Sequence, residues 1–216
     1  MKKQVIFDMD GVIFDSEALV LSCWKIVAEK YGLEGIEDVF RMCIGTNHAE
    51  TMHIVRRQLG ETFDYEVFRR EASALFHKKT DLDGVPVKEG VRELLCYFRD
   101  NGYRIGLASS TRKEVVVQEL GQAGLLDYFS VVVGGDMVRR SKPDPEIYLR
   151  ACREMEADPT ETFAIEDSLH GVRAAHAAGM RVFMVPDLVE PDEAVTKLAF
   201  AVYPSLLGVL GYFQSQ

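Results

Sequence analysis

The sequence predicts an α/β fold, a doubly wound parallel sheet into which an all-helical domain is inserted. Three observations support this prediction. The chain opens with a short apolar run of strand character, its second half alternates between strand and helix patterns, and residues 16–80 contain no convincing strand pattern. Alternating strands and helices favour a parallel sheet, and a long helical stretch after the first strand indicates an insertion.

The length and composition are those of an ordinary globular protein. The 216 residues include 25 basic and 34 acidic side chains, for a net charge of −9, and 47% of them are hydrophobic. A chain of this size can bury a substantial core, in one large domain or two small ones. The acidic balance argues against a general nucleic-acid or anionic-membrane surface, although a small anionic substrate responds to the local field instead.

The cysteines and the N-terminus indicate a cytoplasmic protein. Cys23, Cys43, Cys96 and Cys152 are far apart and form no CxxC pair, so buried free thiols are expected rather than a zinc site or redox pair. The N-terminus leads straight into a strand pattern without a signal-peptide core, and no apolar run reaches the ~18 residues of a membrane span. We expect a monomer with neither nucleic acid nor membrane as partner.

The first predicted strand, residues 4–7, ends in a pair of carboxylates. Asp8 and Asp10 follow it at the point where the strand gives way to a loop. Residues i and i+2 of an extended backbone share a face, so the two negative charges would lie close together. Such an arrangement is costly unless a cation or a shared proton offsets the repulsion. From this stretch alone, an acidic turn and a metal site have about even odds.

A helical stretch follows the first strand. Apolar residues at helical spacing predict helices over 18–31, 36–42, 48–59 and 65–78. Trp24, the single tryptophan, is expected in the core of this helical unit. Residues 81–86 are dense in Asp, Gly and Pro and predict a linker.

Beyond the linker, strand and helix patterns alternate. Strands are predicted over 104–108, 129–133, 163–165, 181–185 and 199–202, and helices around 91–98, 113–123, 145–155, 169–178 and 206–213. Asp144 and Pro145 are typical of the N-cap and first residue of a helix. The first strand belongs with the later ones by character. We therefore predict an α/β domain of residues 1–15 and 85–216, with residues 16–84 inserted as a helical domain.

Polar side chains collect at the predicted carboxyl ends of the strands, where open parallel sheets bind ligands. Besides the aspartate pair, these positions carry Ser109, Ser110, Thr111, Lys142, Glu166 and Asp167. Each one alone fits a structural role, as a helix cap, a first-turn acid or a solvated lysine. Their coincidence at one edge of the sheet, beside two aspartates, favours a site.

The chemistry that suits this set of residues is phosphoryl transfer through a carboxylate. A phosphate ester is anionic, so an attacking aspartate needs a cation beside it, and Mg²⁺ prefers oxygen ligands. A lysine and a hydroxyl group can hold the remaining phosphate oxygens. A second acid could protonate the leaving oxygen and later activate water.

Four segments of the chain resemble, in order and spacing, the four motifs of the haloacid dehalogenase-like (HAD) superfamily. They are DMDGVIFDSE, LASST, SKPDPEIY and IEDSLHGVRAAHAAGM. The segments look most like those of the phosphatase and β-phosphoglucomutase-like branch. The resemblance covers the whole α/β domain and includes a helical cap inserted after the first motif, and it implies a Rossmann-like core.

The resemblance implies catalytic roles for three residues. Asp8 would be the nucleophile that becomes an aspartyl-phosphate. Asp10 would be the general acid and base. Lys142 would bridge the nucleophile and the phosphate group.

The resemblance also implies a phosphate site and a Mg²⁺ site. Ser109 and the backbone of Ser110 would bind the phosphate. Asp8 and the backbone carbonyl of Asp10 would be Mg²⁺ ligands. Asp167, with Glu166, would complete that site.

The helical cap is expected to select the substrate. Gly45, Asn47 and His48 are predicted to contact it, although a surface histidine with no such role fits His48 equally well. Four arginines of the cap could contact a second anionic group, although most of them fit a solvated helix face: Arg56, Arg57, Arg69 and Arg70.

The residue two positions after the nucleophile separates reactions within the superfamily. Haloacid dehalogenases lack an acid there and phosphonate-cleaving members carry a small residue, so Asp10 indicates phosphate esters. β-Phosphoglucomutases resemble this chain, but their caps supply a histidine, an arginine and a lysine. By an ungapped alignment, the matching positions are Val20, His48 and Leu75.

We therefore predict a Mg²⁺-dependent phosphatase for a small phosphorylated metabolite, such as a sugar phosphate or a nucleotide-like monoester. A phosphohexomutase of the β-phosphoglucomutase type is the alternative. A phosphate-binding module without catalysis is a third hypothesis, which the intact set of motif residues disfavours.

Overall fold

A computed structural model of the chain describes residues 3–46, 48–81 and 84–216. Its strands are β1 (Gln4–Phe7), β2 (Arg104–Ala108), β3 (Val131–Val133), β4 (Thr162–Glu166), β5 (Arg181–Met184) and β6 (Ala201–Val202). Within the described residues they form one parallel sheet in the order β3-β2-β1-β4-β5-β6. The strand order reverses at β1, which lies between β2 and β4, so the predicted doubly wound α/β class is confirmed.

Helices cover both faces of the sheet and also form a separate layer after β1. They are α1 (Ser16–Lys30), α2 (Ile36–Cys43), α3 (His48–Leu59), α4 (Tyr65–Thr80), α5 (Val91–Asp100), α6 (Lys113–Gln122), α7 (Glu146–Glu154), α8 (Leu169–Ala177), α9 (Glu193–Leu198) and α10 (Leu206–Gln214). Helices α5, α6 and α10 pack on one face of the sheet, and α7, α8 and α9 on the other.

The alternation of side chains along β1 explains why it is apolar throughout. Val5 and Phe7 point into the hydrophobic cluster under α5, α6 and α10, whereas Ile6 points into the cluster under α7, α8 and α9. None of the three side chains is exposed to solvent. A central strand of a parallel sheet is buried on both faces, so it carries no polar alternation.

Helices α1–α4, which we call the cap, have a hydrophobic cluster of their own. Trp24, 5% exposed, packs edge to face against Phe40 and Phe68, with ring centroids 5.1 and 5.2 Å apart. This separate cluster supports the proposed division of the chain into two domains. They are an α/β domain, residues 1–15 and 85–216, and an inserted helical domain, residues 16–84.

Several predicted bounds shift by one or two residues, and three differences from the predicted elements have a local structural reason. Strand β3 starts at Val131 because Leu126–Tyr128 forms a short 3-10 turn before it. Helix α9 was not predicted, since its six residues are too few for a recognisable period; Asp192 caps it by accepting a hydrogen bond from the Val195 N–H at 2.6 Å. Helix α7 begins at Glu146 instead of Pro145, and the predicted cap Asp144 accepts the Glu146 N–H at 3.0 Å.

All four cysteines are free thiols. Cys23, Cys43 and Cys152 are buried as expected, but Cys96 is partly exposed and its Sγ lies 3.2 Å from the Tyr128 hydroxyl. Among the described residues, none of the helices combines the length and apolar character that a membrane span requires.

Candidate active site

The carboxyl ends of β1 and β4 bring three predicted site residues together. The two strands are parallel neighbours with Phe7 opposite Ile165, so the residues after them emerge side by side. The Asp8 N–H donates to the Ile165 carbonyl at 2.9 Å and extends this pairing by one residue. Carboxylate oxygens of Asp8, Glu166 and Asp167 lie within 4.8 Å of one another.

Lys142 enters this group from the loop before α7. Its Nζ donates to Asp8 Oδ1 at 2.7 Å, to Glu166 Oε1 at 2.6 Å and to the Ala108 carbonyl at 3.4 Å. These acceptors match the three protons of an ammonium group. Lys142 is only 4% exposed. Burial alone would lower the pKa of Lys142, but Asp8 and Glu166 raise it above its ordinary value, so the side chain carries a positive charge.

Glu166 is fully buried, and the protein occupies both of its carboxylate oxygens. Besides Lys142, Oε1 accepts the Tyr148 hydroxyl at 2.6 Å. Oε2 accepts the Asp167 and Ser168 N–H groups at 3.1 and 3.3 Å and the Ser168 hydroxyl at 3.2 Å. A Cβ atom at Gly171 would overlap this carboxyl group, which explains the glycine in the segment EDSLHG.

Burial and repulsion from nearby carboxylates disfavour the charged forms of Asp8 and Asp167, and Lys142 does not fully offset this. Burial raises the pKa of Asp8 to about 8; Lys142 opposes this shift, and Glu166 and Asp10 add to it. Burial, together with repulsion from Glu166 and Asp8, also raises the pKa of Asp167 well above its ordinary value. The Asp167 carboxylate accepts no hydrogen bond from the described part of the chain. Buried carboxylates in this state fit a divalent cation with oxygen ligands.

Gly11 makes room for the Asp167 carboxylate. Its φ of +75° belongs to the left-handed region that favours glycine, and a Cβ atom there would overlap Asp167 Oδ2. The first motif therefore requires glycine after its two aspartates because the Asp167 side chain, which belongs to the fourth motif, packs against the backbone at this position.

The Asp10 side chain faces a different set of partners. Its Oδ1 accepts the Ser16 hydroxyl at 2.7 Å, and its Oδ2 accepts the Thr111 hydroxyl at 2.9 Å and the Ser109 hydroxyl at 3.5 Å. The carboxylate does not belong to the acidic cluster of Asp8. Its backbone carbonyl, which the sequence assigned to the metal, remains a predicted ligand.

A cavity of about 390 Å³ lies between this edge of the sheet and the cap. Its sheet side includes Asp8, Asp10, Ser110, Lys142 and Asp167, and its cap side includes Glu17, Val20, Trp24, Gly45, His48 and Arg69. Ser109 is fully buried beneath it and does not line it. Two of the three predicted cap residues therefore face the same space as the aspartates, while Asn47 lies outside the described residues.

The two basic side chains on the cap side share one acidic partner. His48 Nε2 lies 2.8 Å from Glu66 Oε1, and Arg69 Nη2 lies 3.2 Å from Glu66 Oε2. His48 also stacks on Tyr65. Leu75 packs against the apolar residues of the cap and is not among the residues that line the cavity.

Three residues of the site were given no role in the sequence analysis. Ser16 and Thr111 hold Asp10, and Tyr148 holds Glu166. All three lie inside quoted motifs, so their hydroxyl groups were a usable signal. The packing of the Tyr148 ring under Lys142, with Nζ 5.2 Å from the ring centre, is a tertiary contact that the motif alone does not indicate.

Comparisons with known proteins agree with the motifs. The chain matches the family model described as haloacid dehalogenase-like hydrolase over residues 5–185. It is 36% identical over 194 residues to a phosphorylated carbohydrates phosphatase from Thermotoga maritima, with 88% of each chain covered. It is 30% identical over 186 residues to a β-phosphoglucomutase from Bacillus subtilis, covering 82% of this chain and 80% of the relative.

A solved structure shows that the fold is shared as well. The β-phosphoglucomutase of Clostridium difficile superposes with a TM-score of 0.81 at 24% sequence identity, covering 100% of this chain and 96% of that one.

Proposed function

Since this chain belongs to the haloacid dehalogenase-like hydrolases, we propose that it is a Mg²⁺-dependent phosphatase acting through an aspartyl-phosphate on Asp8. Its substrate is a small phosphorylated metabolite, such as a sugar phosphate or a nucleotide-like monoester. The observation that carries the proposal is the buried group of Asp8, Lys142, Glu166 and Asp167 at the base of a cavity large enough for a small ligand.

The contacts of Asp8 support its proposed role as the nucleophile. Lys142 binds Oδ1, and Oδ2 accepts no hydrogen bond from a described residue, so that oxygen remains for attack on phosphorus. In the first step the Oδ2–P bond forms and the bond from phosphorus to the ester oxygen breaks. The positive charge of Lys142 orients the carboxylate and offsets the charge of the incoming phosphate.

Asp10 is the proposed general acid and base. It gives a proton to the leaving ester oxygen in the first step. In the second step it takes a proton from a water molecule, whose oxygen attacks phosphorus and releases Asp8. The hydroxyl groups of Ser16 and Thr111 hold the Asp10 carboxylate toward the cavity during both steps.

The acidic cluster fits the metal that this chemistry requires. Asp8, Asp167 and Glu166 would hold Mg²⁺ with the backbone carbonyl of Asp10, although the carboxylate oxygens of Glu166 already accept five hydrogen bonds from the protein. When bound, the ion would supply positive charge beside the phosphate group. Ser109 and the Ser110 backbone remain the predicted phosphate contacts.

The cap favours a phosphatase over a phosphohexomutase. A mutase must hold a sugar bisphosphate, which requires a second anion site opposite the nucleophile. Val20 and Leu75 supply no charge at the positions that match basic residues of mutase caps, and Glu66 already pairs with both His48 and Arg69. A second phosphate would therefore have to displace an existing ion pair. A mutase remains the second candidate because a β-phosphoglucomutase is among the relatives.

The test is a phosphate-release screen over sugar phosphates, polyol phosphates and nucleoside monophosphates, with Mg²⁺ and with EDTA. We expect release from a few related esters in Mg²⁺ and none in EDTA. A coupled assay for glucose 6-phosphate formed from β-glucose 1-phosphate measures the mutase reaction in the same samples. Isomerisation with little release would replace the phosphatase by the mutase. Folded protein that acts on no ester would favour the binding module.

We also propose a monomeric, cytoplasmic protein on the basis of sequence features alone. Size-exclusion chromatography with light scattering tests the oligomeric state.

A further inference from the structure

Glu17 is an acid of the cavity that the proposed reaction does not use. It lies in the first turn of α1, next to Ser16, whose hydroxyl group donates to Asp10. Its side chain lines the cavity together with Asp8 and Asp10, and it makes no hydrogen bond or ion pair with any residue the structure describes. An acid in the first turn of a helix interacts favourably with the helix dipole even where it binds no ligand, so a role in the site needs further support.

The surroundings of Glu17 supply that support. Burial raises the pKa of Glu17 to about 8, and Asp10, Asp187 and Asp8 add to the shift. Lys88 is the cation that opposes it, but Asp187 holds Lys88, with Nζ 2.6 Å from Oδ1. Glu17 is therefore an inward-facing carboxyl group that is surrounded by other acids and has no cation of its own.

The groups that can satisfy such a side chain are limited. A hydroxyl group both donates and accepts hydrogen bonds, so it can pair with a carboxyl group whether that group is charged or protonated. A second phosphate or carboxylate on the ligand would add another negative charge next to Glu17 and its acidic neighbours. The cap side of the cavity otherwise offers apolar surface at Val20 and Trp24, and its basic residues, His48 and Arg69, already pair with Glu66.

We propose that Glu17 hydrogen-bonds a hydroxyl group of the substrate and so selects polyhydroxylated phosphate esters over esters with a second acidic group. This inference rests on the proposed phosphatase function and names the substrate class for the same site. It assigns to Glu17 a role in specificity and none in the transfer of the phosphoryl group.

The experiment compares the kcat/KM values of matched esters in wild type and variants. The hydroxylated ester is the sugar or polyol phosphate that the wild type hydrolyses best; ethyl phosphate lacks a hydroxyl group, and 2-phosphoglycolate carries a carboxylate. Glu17→Ala should lower kcat/KM for the hydroxylated ester roughly 10- to 100-fold, as for loss of a hydrogen bond to an acidic group, and leave ethyl phosphate unchanged. The same variant should raise kcat/KM for 2-phosphoglycolate.

Two further variants complete the design. Glu17→Gln keeps a hydrogen-bonding group of the same shape and should retain most of the preference for the hydroxylated ester. Glu29→Ala removes an acid from the exposed side of the same helix and should change none of the three rates.

The outcomes separate this inference from the proposed function. If Glu17→Ala lowers kcat/KM for all three esters equally, or lowers only the melting temperature, Glu17 has no role in specificity and the inference is wrong. The phosphatase proposal then still stands. If the wild type hydrolyses none of the esters, the proposed function fails and this inference fails with it.

Discussion

Removing the charge of Lys142 should destabilise the protein more than removing the charge of a surface lysine. Lys142 is 4% exposed, and its two carboxylate partners, Asp8 and Glu166, are 7% and 0% exposed. The change Lys142→Met keeps an unbranched, apolar side chain under the Tyr148 ring but leaves both buried carboxylates without a cation.

The expected loss of stability follows from the burial of these three side chains. Removing one partner of a buried ion pair costs ~3–5 kcal/mol, because the other charge stays buried and unpaired. For a chain of this length, 1 kcal/mol corresponds to ~2–4 °C in Tm, so we expect the variant to melt about 10 °C below the wild type. Surface lysines of this protein, by comparison, would cost about 1 kcal/mol or less.

The loss of stability in Lys142→Met should increase with pH. The pKa of Asp8 is raised, to about 8, because burial disfavours its charge, and Lys142 is the group that lowers it. An acid whose pKa is higher in the folded state than in the unfolded state binds a proton on folding. The stability that it contributes is therefore lost as the pH rises from about 4 to about 8. Without Lys142 this loss should grow, so the deficit in Tm should be larger at pH 8 than at pH 5.

The assay is thermal unfolding of wild type and variant in EDTA, since Mg²⁺ would supply a replacement cation and reduce the difference. A second variant, Lys142→Met with Glu166→Gln, also removes the charge of Glu166, which has lost its cation, and should recover part of the lost Tm. The reasoning is refuted if Lys142→Met melts with the wild type. It is also refuted if the double variant loses the sum of the two single effects, because unpaired charge would then not be the cause.

Three other predictions test separate parts of the site. Asp8→Asn should release no phosphate, since an amide cannot attack phosphorus. In EDTA the Tm of this variant minus the Tm of the wild type should be greater at pH 8 than at pH 6, because the raised pKa of Asp8 penalises the charged form in the wild type; an equal difference at both pH values would contradict this. Gly171→Ala should lower both stability and turnover, because its methyl group would overlap the Glu166 carboxyl group. The matched control Gly121→Ala, in an exposed position of α6 with no atom nearby, should raise the free energy of unfolding by ~0.5–1 kcal/mol. Tyr148→Phe keeps the buried ring but removes its 2.6 Å hydrogen bond to Glu166, and urea unfolding should show a loss of ~1.5–3 kcal/mol; a loss below ~0.5 kcal/mol would mean that this hydrogen bond contributes little.

The secondary-structure elements that could be predicted from the sequence are those that a local pattern of apolar residues determines. The apolar run of β1, with Asp8 at its end, specified a buried central strand, and the later strands followed from alternation with helices. Periodicity also placed α3 at its observed bounds, His48–Leu59. The six-residue helix α9 was missed because less than two full turns give no measurable period.

Partners across the fold could not be predicted in the same way. The sequence brought Lys142 to the site by its loop after a strand and by the motif resemblance, but neither indicated that Tyr148 would pack beneath it. Similarly, the need for glycine at Gly171 comes from the Glu166 carboxyl group five residues away, across the turn into α8. These contacts depend on three-dimensional proximity, which spacing along the chain does not encode.

The five acids around the cavity differ in what the protein gives them. Asp8 has Lys142, Asp10 has three hydroxyl groups, and Glu166 has hydrogen bonds to both of its oxygens. Asp167 and Glu17 have no hydrogen-bond partner among the described residues, although burial raises the pKa of both. Asp167 is buried and Glu17 is half-buried, and a folded protein rarely withdraws an acid from water without giving it a partner. The two that remain are therefore the ones for which an external group is expected: a cation beside Asp167, at the end of β4, and a substrate hydroxyl group beside Glu17, in the first turn of α1.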